Sequence, residues 1–298
     1  MISRRSFILR SGAALSACVL LPSARALAKT SVADLEKKFA AIEAKSGGRL
    51  GVSVHDTGTG LKAAHRGDER FPLCSTFKVL AAAAVLNRVD KGEETLSREV
   101  PVPKDSILEY APVAEKHAGG VMSLSDLCAA AMIWSDNTAA NLIFESLARD
   151  GLSGPEAATA FVRSLGDTTT RMDRMEPELN EFTPGDPRDT TTPDAMAGLL
   201  QQLFLGEALS PLSRDRLTEW FVACETGRNR LRAGMPETWR VGDKTGSADG
   251  ITNDVAVAWP ATGDAILIAA YISESKADGE TRDAALADVG KAVATLAE

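Results

Sequence analysis

Apolar and polar positions alternate in two different periods along this chain. Between residues 33 and 46, Leu35, Phe39 and Ile42 recur at helical spacing, and Gly47-Gly48 stops the helix. Residues 50–55 alternate as a strand does, residues 56–60 form a turn, and residues 61–65 return as a hairpin partner. From Ser75 to about residue 223 the period is helical. Residues 77–89 are alanine-rich and amphipathic, and Ser123 with Asp126 three positions on marks a helix start before residues 124–133. A further helix follows Asn137, and residues 150–155 read as a loop. Residues 177–193 lack hydrophobic periodicity and are rich in Pro, Thr and Asp. An irregular segment of that length inside a compact domain is usually functional. Thr192-Pro193 starts another helix, with Thr as cap and Pro in the first turn. Residues 240–244, 255–259 and 265–272 read as strands, and residues 283–296 close the chain as a helix.

Strands therefore lie near both ends and helices between them. The simplest assembly is an α/β (α+β) fold. One antiparallel sheet takes strands from both ends of the chain, the terminal helices cover it, and an all-α lobe is inserted. The α/β lobe is expected from residues 29–74 and 226–298, the helical lobe from 75–225, and the groove between them is the expected site.

Residues 1–28 stand apart. Arg4-Arg5, a short apolar stretch to Pro22 and the small-residue end Ala26-Leu27-Ala28 read as an export signal of the twin-arginine type, which implies a periplasmic protein. Leu15-Ser16-Ala17-Cys18 offers lipoprotein processing as the alternative. Its removal takes away four arginines and no acid, so the formal charge moves from −8 for all 298 residues to −12. An acidic body argues against nucleic acid as a partner. No apolar run reaches the ~18 residues of a membrane span, so no stable membrane contact is expected of the mature form. The three histidines and four cysteines form no zinc spacing, so neither a metal nor another cofactor is expected. A nucleophile would then draw its base mainly from Lys, Glu and Asp.

Four short motifs can supply that chemistry. Ser75-Thr76-Phe77-Lys78 opens a helix, and a spacing of three puts Ser75 and Lys78 on one face. A lysine with a lowered pKa can activate a serine, and a helix start favours a developing oxyanion. Ser273-Glu274-Ser275-Lys276 repeats the pattern by accident. Ser135-Asp136-Asn137 offers a proton-relaying hydroxyl and an amide, or is an ordinary turn between helices. In the irregular segment, Glu176 and Asn180 could aim one water at an acyl carbon, or belong to a polar loop. Lys244-Thr245-Gly246-Ser247 ends a predicted strand and suits a carboxylate, although Lys45-Ser46-Gly47 fits the same short pattern.

In this order the four motifs resemble those of the class A serine β-lactamases. Residues 107–113, 166–169, 174–181 and 188–191 extend the resemblance, which covers essentially the whole mature chain. The resemblance implies hydrolysis of penicillins and cephalosporins by a monomer. Ser75 would be acylated, with Lys78 and Glu176 sharing its activation. Glu176 and Asn180 would hold the deacylating water, and Ser135 would protonate the lactam nitrogen. Asn137 would bind the substrate's side-chain amide, and Tyr110 would wall the site. Lys244, Thr245 and Ser247 would bind the carboxylate, and Gly246 would let the backbone approach. The amides of Ser75 and Ser247 would form the oxyanion hole. Arg174 and Asp189 would pair at the base of the Glu176 loop.

Some positions depart from the family pattern. Asn253 stands where many members carry an arginine, which leaves Arg230, or its neighbour Arg232, to support the carboxylate. Ala248 stands where a disulfide partner for Cys74 would be, and Ala82 where one for Cys128 would be. Residues 150–155 are slightly longer than the family pattern. A penicillin-binding peptidase would share Ser75 and Lys78 but lack the Glu176–Asn180 pair, and the export signal and absence of a membrane span argue against a sensor that stays acylated.

Overall fold

The computed structural model describes residues 30–297, so the expected export signal and Cys18 lie outside the described residues. Five antiparallel strands form the main sheet: β1 (Arg49–Asp56), β2 (Lys62–His65), β7 (Arg240–Ala248), β8 (Ile251–Trp259) and β9 (Ile266–Ser273), in the order β2-β1-β9-β8-β7. β1 pairs with β9, Arg49 opposite Ser273, which joins the two ends of the chain.

Alternate residues of β9 serve two cores. Ile266, Ile268, Ala270 and Ile272 pack with Leu35 and Phe39 of α1 (Val32–Ser46) and Leu286 and Val289 of α8 (Gly279–Ala294). Leu267, Ala269 and Tyr271 face the other way, into the helical core. That core surrounds α2 (Phe77–Asp90), whose residues Phe77 to Leu86 are all buried. A helix apolar all round belongs at the centre of its lobe. Around it pack α3 (Leu124–Ile133), α4 (Asn137–Leu147), α5 (Gly154–Ser164) and α7 (Pro211–Val222), while α6 (Pro193–Phe204) lies against β1 and β9.

The helix starts follow the expected local chemistry. Ser123 accepts from the Asp126 amide at α3, Thr192 from Ala195 at α6, and Gly47 closes α1 at φ 72°. The structure also extends several predicted elements. β7 runs four residues past Lys244, to Ala248, so the Lys-Thr-Gly-Ser motif lies within the strand. Its polar residues follow no alternation, yet Asp243 to Gly246 are buried between β8 and the turn that carries Ser75. β8 begins at Ile251 rather than 255, and α8 at Gly279 behind an Asp278 cap rather than at 283. α5 starts inside the predicted loop, on a Ser153–Glu156 capping box. The helical region also holds the ladder of β4 (Glu99–Pro101) with β5 (Val121–Ser123). β3 (Phe71–Pro72) pairs with β6 (Thr190–Thr191), tying the end of the irregular segment to the chain just before Ser75.

Candidate active site

Ser75 sits in a 3-10 turn, Cys74–Thr76, directly before α2. Cys74 takes φ 41°, a left-handed conformation that costs a non-glycine residue about 1–3 kcal/mol and tends to cluster at functional sites. β7 is pressed against this turn. A Cβ at Gly246 would stand 2.9 Å from the Leu73 carbonyl oxygen and 3.2 Å from the Ser75 nitrogen, so only glycine fits. Opposite Gly246 in the ladder is Asn253, whose Nδ2 donates to the carbonyls of Pro72 (2.8 Å) and Leu73 (3.3 Å). Asn253 is thus a buried strut beneath the turn that carries Ser75.

Two lysines converge on Ser135. Its φ of 60° is strained for serine and lies in the turn between α3 and α4. Lys78 Nζ donates to the Ser135 carbonyl (2.8 Å) and Asn137 Oδ1 (2.6 Å) and lies 3.4 Å from Ser135 Oγ. Lys244 Nζ reaches the same hydroxyl at 2.9 Å and the Thr245 carbonyl at 2.9 Å. Asp136, between Ser135 and Asn137, caps α4 and accepts the amides of Val113 and Ala114, each at 2.9 Å. The Asn137 amide donates to the Tyr110 carbonyl at 3.0 Å, so Tyr110 is held at the rim with half its surface exposed.

Glu176 completes the centre. Its Oε1 accepts from Ser75 Oγ at 3.3 Å and lies 3.2 Å from Lys78 Nζ, with both charged side chains fully buried. Asn180 Nδ2 donates to Oε2 at 2.5 Å, while Asn180 Oδ1 is buried without a protein partner. The backbone of Glu176 is held by a residue that sequence reasoning missed. Asn141 on α4 donates to its carbonyl (2.8 Å) and accepts from its amide (2.9 Å). The readable signal was position, since Asn141 lies one helical turn beyond Asn137 on the same face. At the loop's base Arg174 Nε donates to Asp189 Oδ2 at 2.6 Å, and Asp189 Oδ1 accepts the amides of Asp173 (2.7 Å) and Arg174 (3.0 Å).

Thr245 and Ser247 share one face of β7 and line a cleft of about 310 Å³ with Ser75, Ser135 and Asn137. Arg230 borders it, donating to Ser247 Oγ (2.8 Å) and to the Gly246 (3.1 Å) and Asn253 (2.8 Å) carbonyls. Its Nε is anchored by Asp283 of α8 at 2.8 Å. Arg232 instead pairs with Asp243, away from the cleft lining, which separates the two alternatives. A larger hollow of about 420 Å³ beside His55 contains no serine–lysine pair within hydrogen-bonding reach. The accidental Ser273–Lys276 match lies at the end of β9, with Ser273 opposite Arg49.

Residues 34–296 match the family described as the Beta-lactamase enzyme family. β-Lactamase L2 of Stenotrophomonas maltophilia is 46% identical over 98% of both chains. β-Lactamase CTX-M-8 of Citrobacter amalonaticus is 44% identical over 93% of this chain and 94% of that one. Among solved structures, an ancestral (GNCA) class A β-lactamase superposes with TM-score 0.84 at 56% identity, over 87% of this chain and 98% of that one. A β-lactamase from Xanthomonas campestris gives 0.86 at 48%, over 90% and 99%. The chain belongs to the class A serine β-lactamases.

In this β-lactamase, burial sets the charges of the site. Desolvation lowers the Lys78 pKa against the opposing pull of Glu176. Desolvation likewise lowers Lys244, to about 8, helped by the positive charges of Lys78 and Arg230. Both amines are therefore easier to deprotonate than a surface lysine. Cys74, Cys128 and Cys224 are free and buried, and burial raises all three thiol pKa values.

Proposed function

We infer that this enzyme hydrolyses the β-lactam amide bond of penicillins and cephalosporins, through an acyl-enzyme on Ser75. The observation that carries the reading is the position of Glu176. One carboxylate oxygen meets Ser75 and Lys78, and the other meets Asn180.

Ser75 Oγ attacks the lactam carbonyl and passes its proton into the Glu176–Lys78 pair. The amides of Ser75 and Ser247, at a turn and a strand forced together by Gly246, stabilise the oxyanion. The C–N bond breaks, and the leaving nitrogen takes a proton from Ser135, which the two lysines can resupply. A water held by Glu176 and the Asn180 carbonyl then attacks the ester. Its proton goes to Glu176, the bond from the acyl carbon to Ser75 Oγ breaks, and Ser75 Oγ takes a proton back from the Glu176–Lys78 pair. Lys244, Thr245 and Ser247, with Arg230 behind them, hold the substrate carboxylate. Asn137 already gives Oδ1 to Lys78, so its Nδ2 serves the side-chain amide. Arg174 and Asp189 brace the loop. Residues 1–28 direct export to the periplasm by a twin-arginine signal, and the mature chain acts as a monomer with no cofactor.

Rapid mixing with a chromogenic cephalosporin, followed by mass spectrometry of the protein, tests this reading. Multiple turnover with little standing adduct is expected, and Glu176→Ala should accumulate acyl-enzyme. A stable Ser75 adduct in the unaltered protein would instead indicate a peptidase or sensor. Full turnover by Glu176→Ala would remove Glu176 from deacylation.

A further inference from the structure

Thr226 lies in the segment between α7 and β7, at the edge of the cleft, and no motif contains it. Its Oγ1 is 2.5 Å from Thr245 Oγ1, at the short end of the range for a hydroxyl pair. On its other side stands the buried Cys224 thiol, with Sγ at 3.4 Å. Three groups, each able to donate or accept, thus run from the interior to the cleft surface. The thiol is neutral, because burial raises its pKa and the negative charge of Asp243 raises it further.

We propose that Thr226 is a positioning residue that turns the Thr245 hydroxyl into an obligate donor toward the substrate's carboxylate. The inference rests on the reading that Thr245 binds that carboxylate. A carboxylate can only accept, so Thr245 must give its single proton to the substrate. Thr245 can then only accept from Thr226, which gives its single proton to Thr245. Binding an anion thereby aligns both hydroxyls, and each bond polarises the next. Without the Thr226 hydroxyl, the Thr245 oxygen, which is buried, loses its inner partner, and its proton has no preferred direction. A neutral group benefits less from this alignment, because hydrogen bonds to an ionised acceptor are roughly twice as strong. The chain therefore contributes to selection of anionic substrates.

The test compares kcat/KM for a chromogenic cephalosporin with that for its C4 methyl ester, so effects on shared steps cancel. In Thr226→Val the acid-to-ester ratio should fall about threefold to tenfold, the worth of one hydrogen bond. Thr226→Ser should restore it, and Thr226→Ala should repeat the loss if valine disturbs folding. A purely structural role would slow both substrates and leave the ratio intact. A ratio within twofold of the unaltered enzyme in Thr226→Val and Thr226→Ala, while Thr245→Val collapses it, overturns the role of Thr226 alone. A ratio unmoved by Thr245→Val overturns this inference together with the carboxylate reading.

Discussion

Replacing Asn141 with leucine tests how Glu176, the proposed general base, is held. The change keeps the branching and the number of side-chain heavy atoms and removes two hydrogen bonds, at 2.8 and 2.9 Å, that clasp the Glu176 peptide from α4. Each is worth about 0.5–1.5 kcal/mol net, and the Glu176 backbone groups lose their protein partners. The combined loss is about 1–3 kcal/mol, a factor of about five to a hundred and fifty in the fraction of molecules with the carboxylate in place. Ser75 has a second activating neighbour in Lys78, which is anchored independently on Ser135 and Asn137. In the proposed mechanism deacylation has only Glu176 and Asn180. Asn141→Leu should therefore slow deacylation more than acylation. Stopped-flow traces should show a burst followed by a steady rate lowered by a factor of about five to a hundred and fifty, with acyl-enzyme visible by mass. Urea unfolding supplies the control. A variant that loses stability but keeps its deacylation rate would refute the argument, because the clasp would then serve the fold and not the base.

Two further predictions concern charge. Lys244 is a cation below its lowered pKa of about 8 and becomes neutral above it. For a carboxylate substrate, kcat/KM should fall as pH rises through about 8, without a matching limb for the methyl ester, and Lys244→Arg should abolish that limb because guanidinium stays charged. The same limb in the arginine variant would assign it elsewhere. Arg174→Ala should cost about 2 kcal/mol in urea unfolding, because it leaves Asp189 buried without its cation. The figure is set below that of a fully buried pair because the Arg174 side chain keeps 18% of its exposure. A loss under about 0.5 kcal/mol would show that the Asp173 and Arg174 amides alone suffice for Asp189.

Physical locality explains what could be read from the chain beforehand. Ser75 with Lys78, Ser135 with Asn137, Glu176 with Asn180, and Thr245 with Ser247 each lie within a turn or on one face of a strand, so spacing alone places them near one another. The caps at Ser123 and Thr192 were legible for the same reason, since cap and amide are three residues apart. The Ser153–Glu156 box at α5 was equally local, but Gly154-Pro155 disguised it as a loop. β7 was cut short at Lys244 because alternation identifies a strand with one wet face, and this one is buried from Val241 to Gly246. What spacing could not show is how the local pairs are coupled. The Glu176 loop meets Ser75 through side chains far apart in sequence, Asn141 holds that loop from a helix interior, and Asp283 anchors Arg230 from α8. These contacts are tertiary, made between segments that no local pattern links. The motifs thus specify the groups proposed to do the chemistry. The residues between motifs, Asn141, Thr226, Asn253 and Asp283, set how tightly those groups are aimed. Substitutions there should alter rates and selectivity while every motif remains intact.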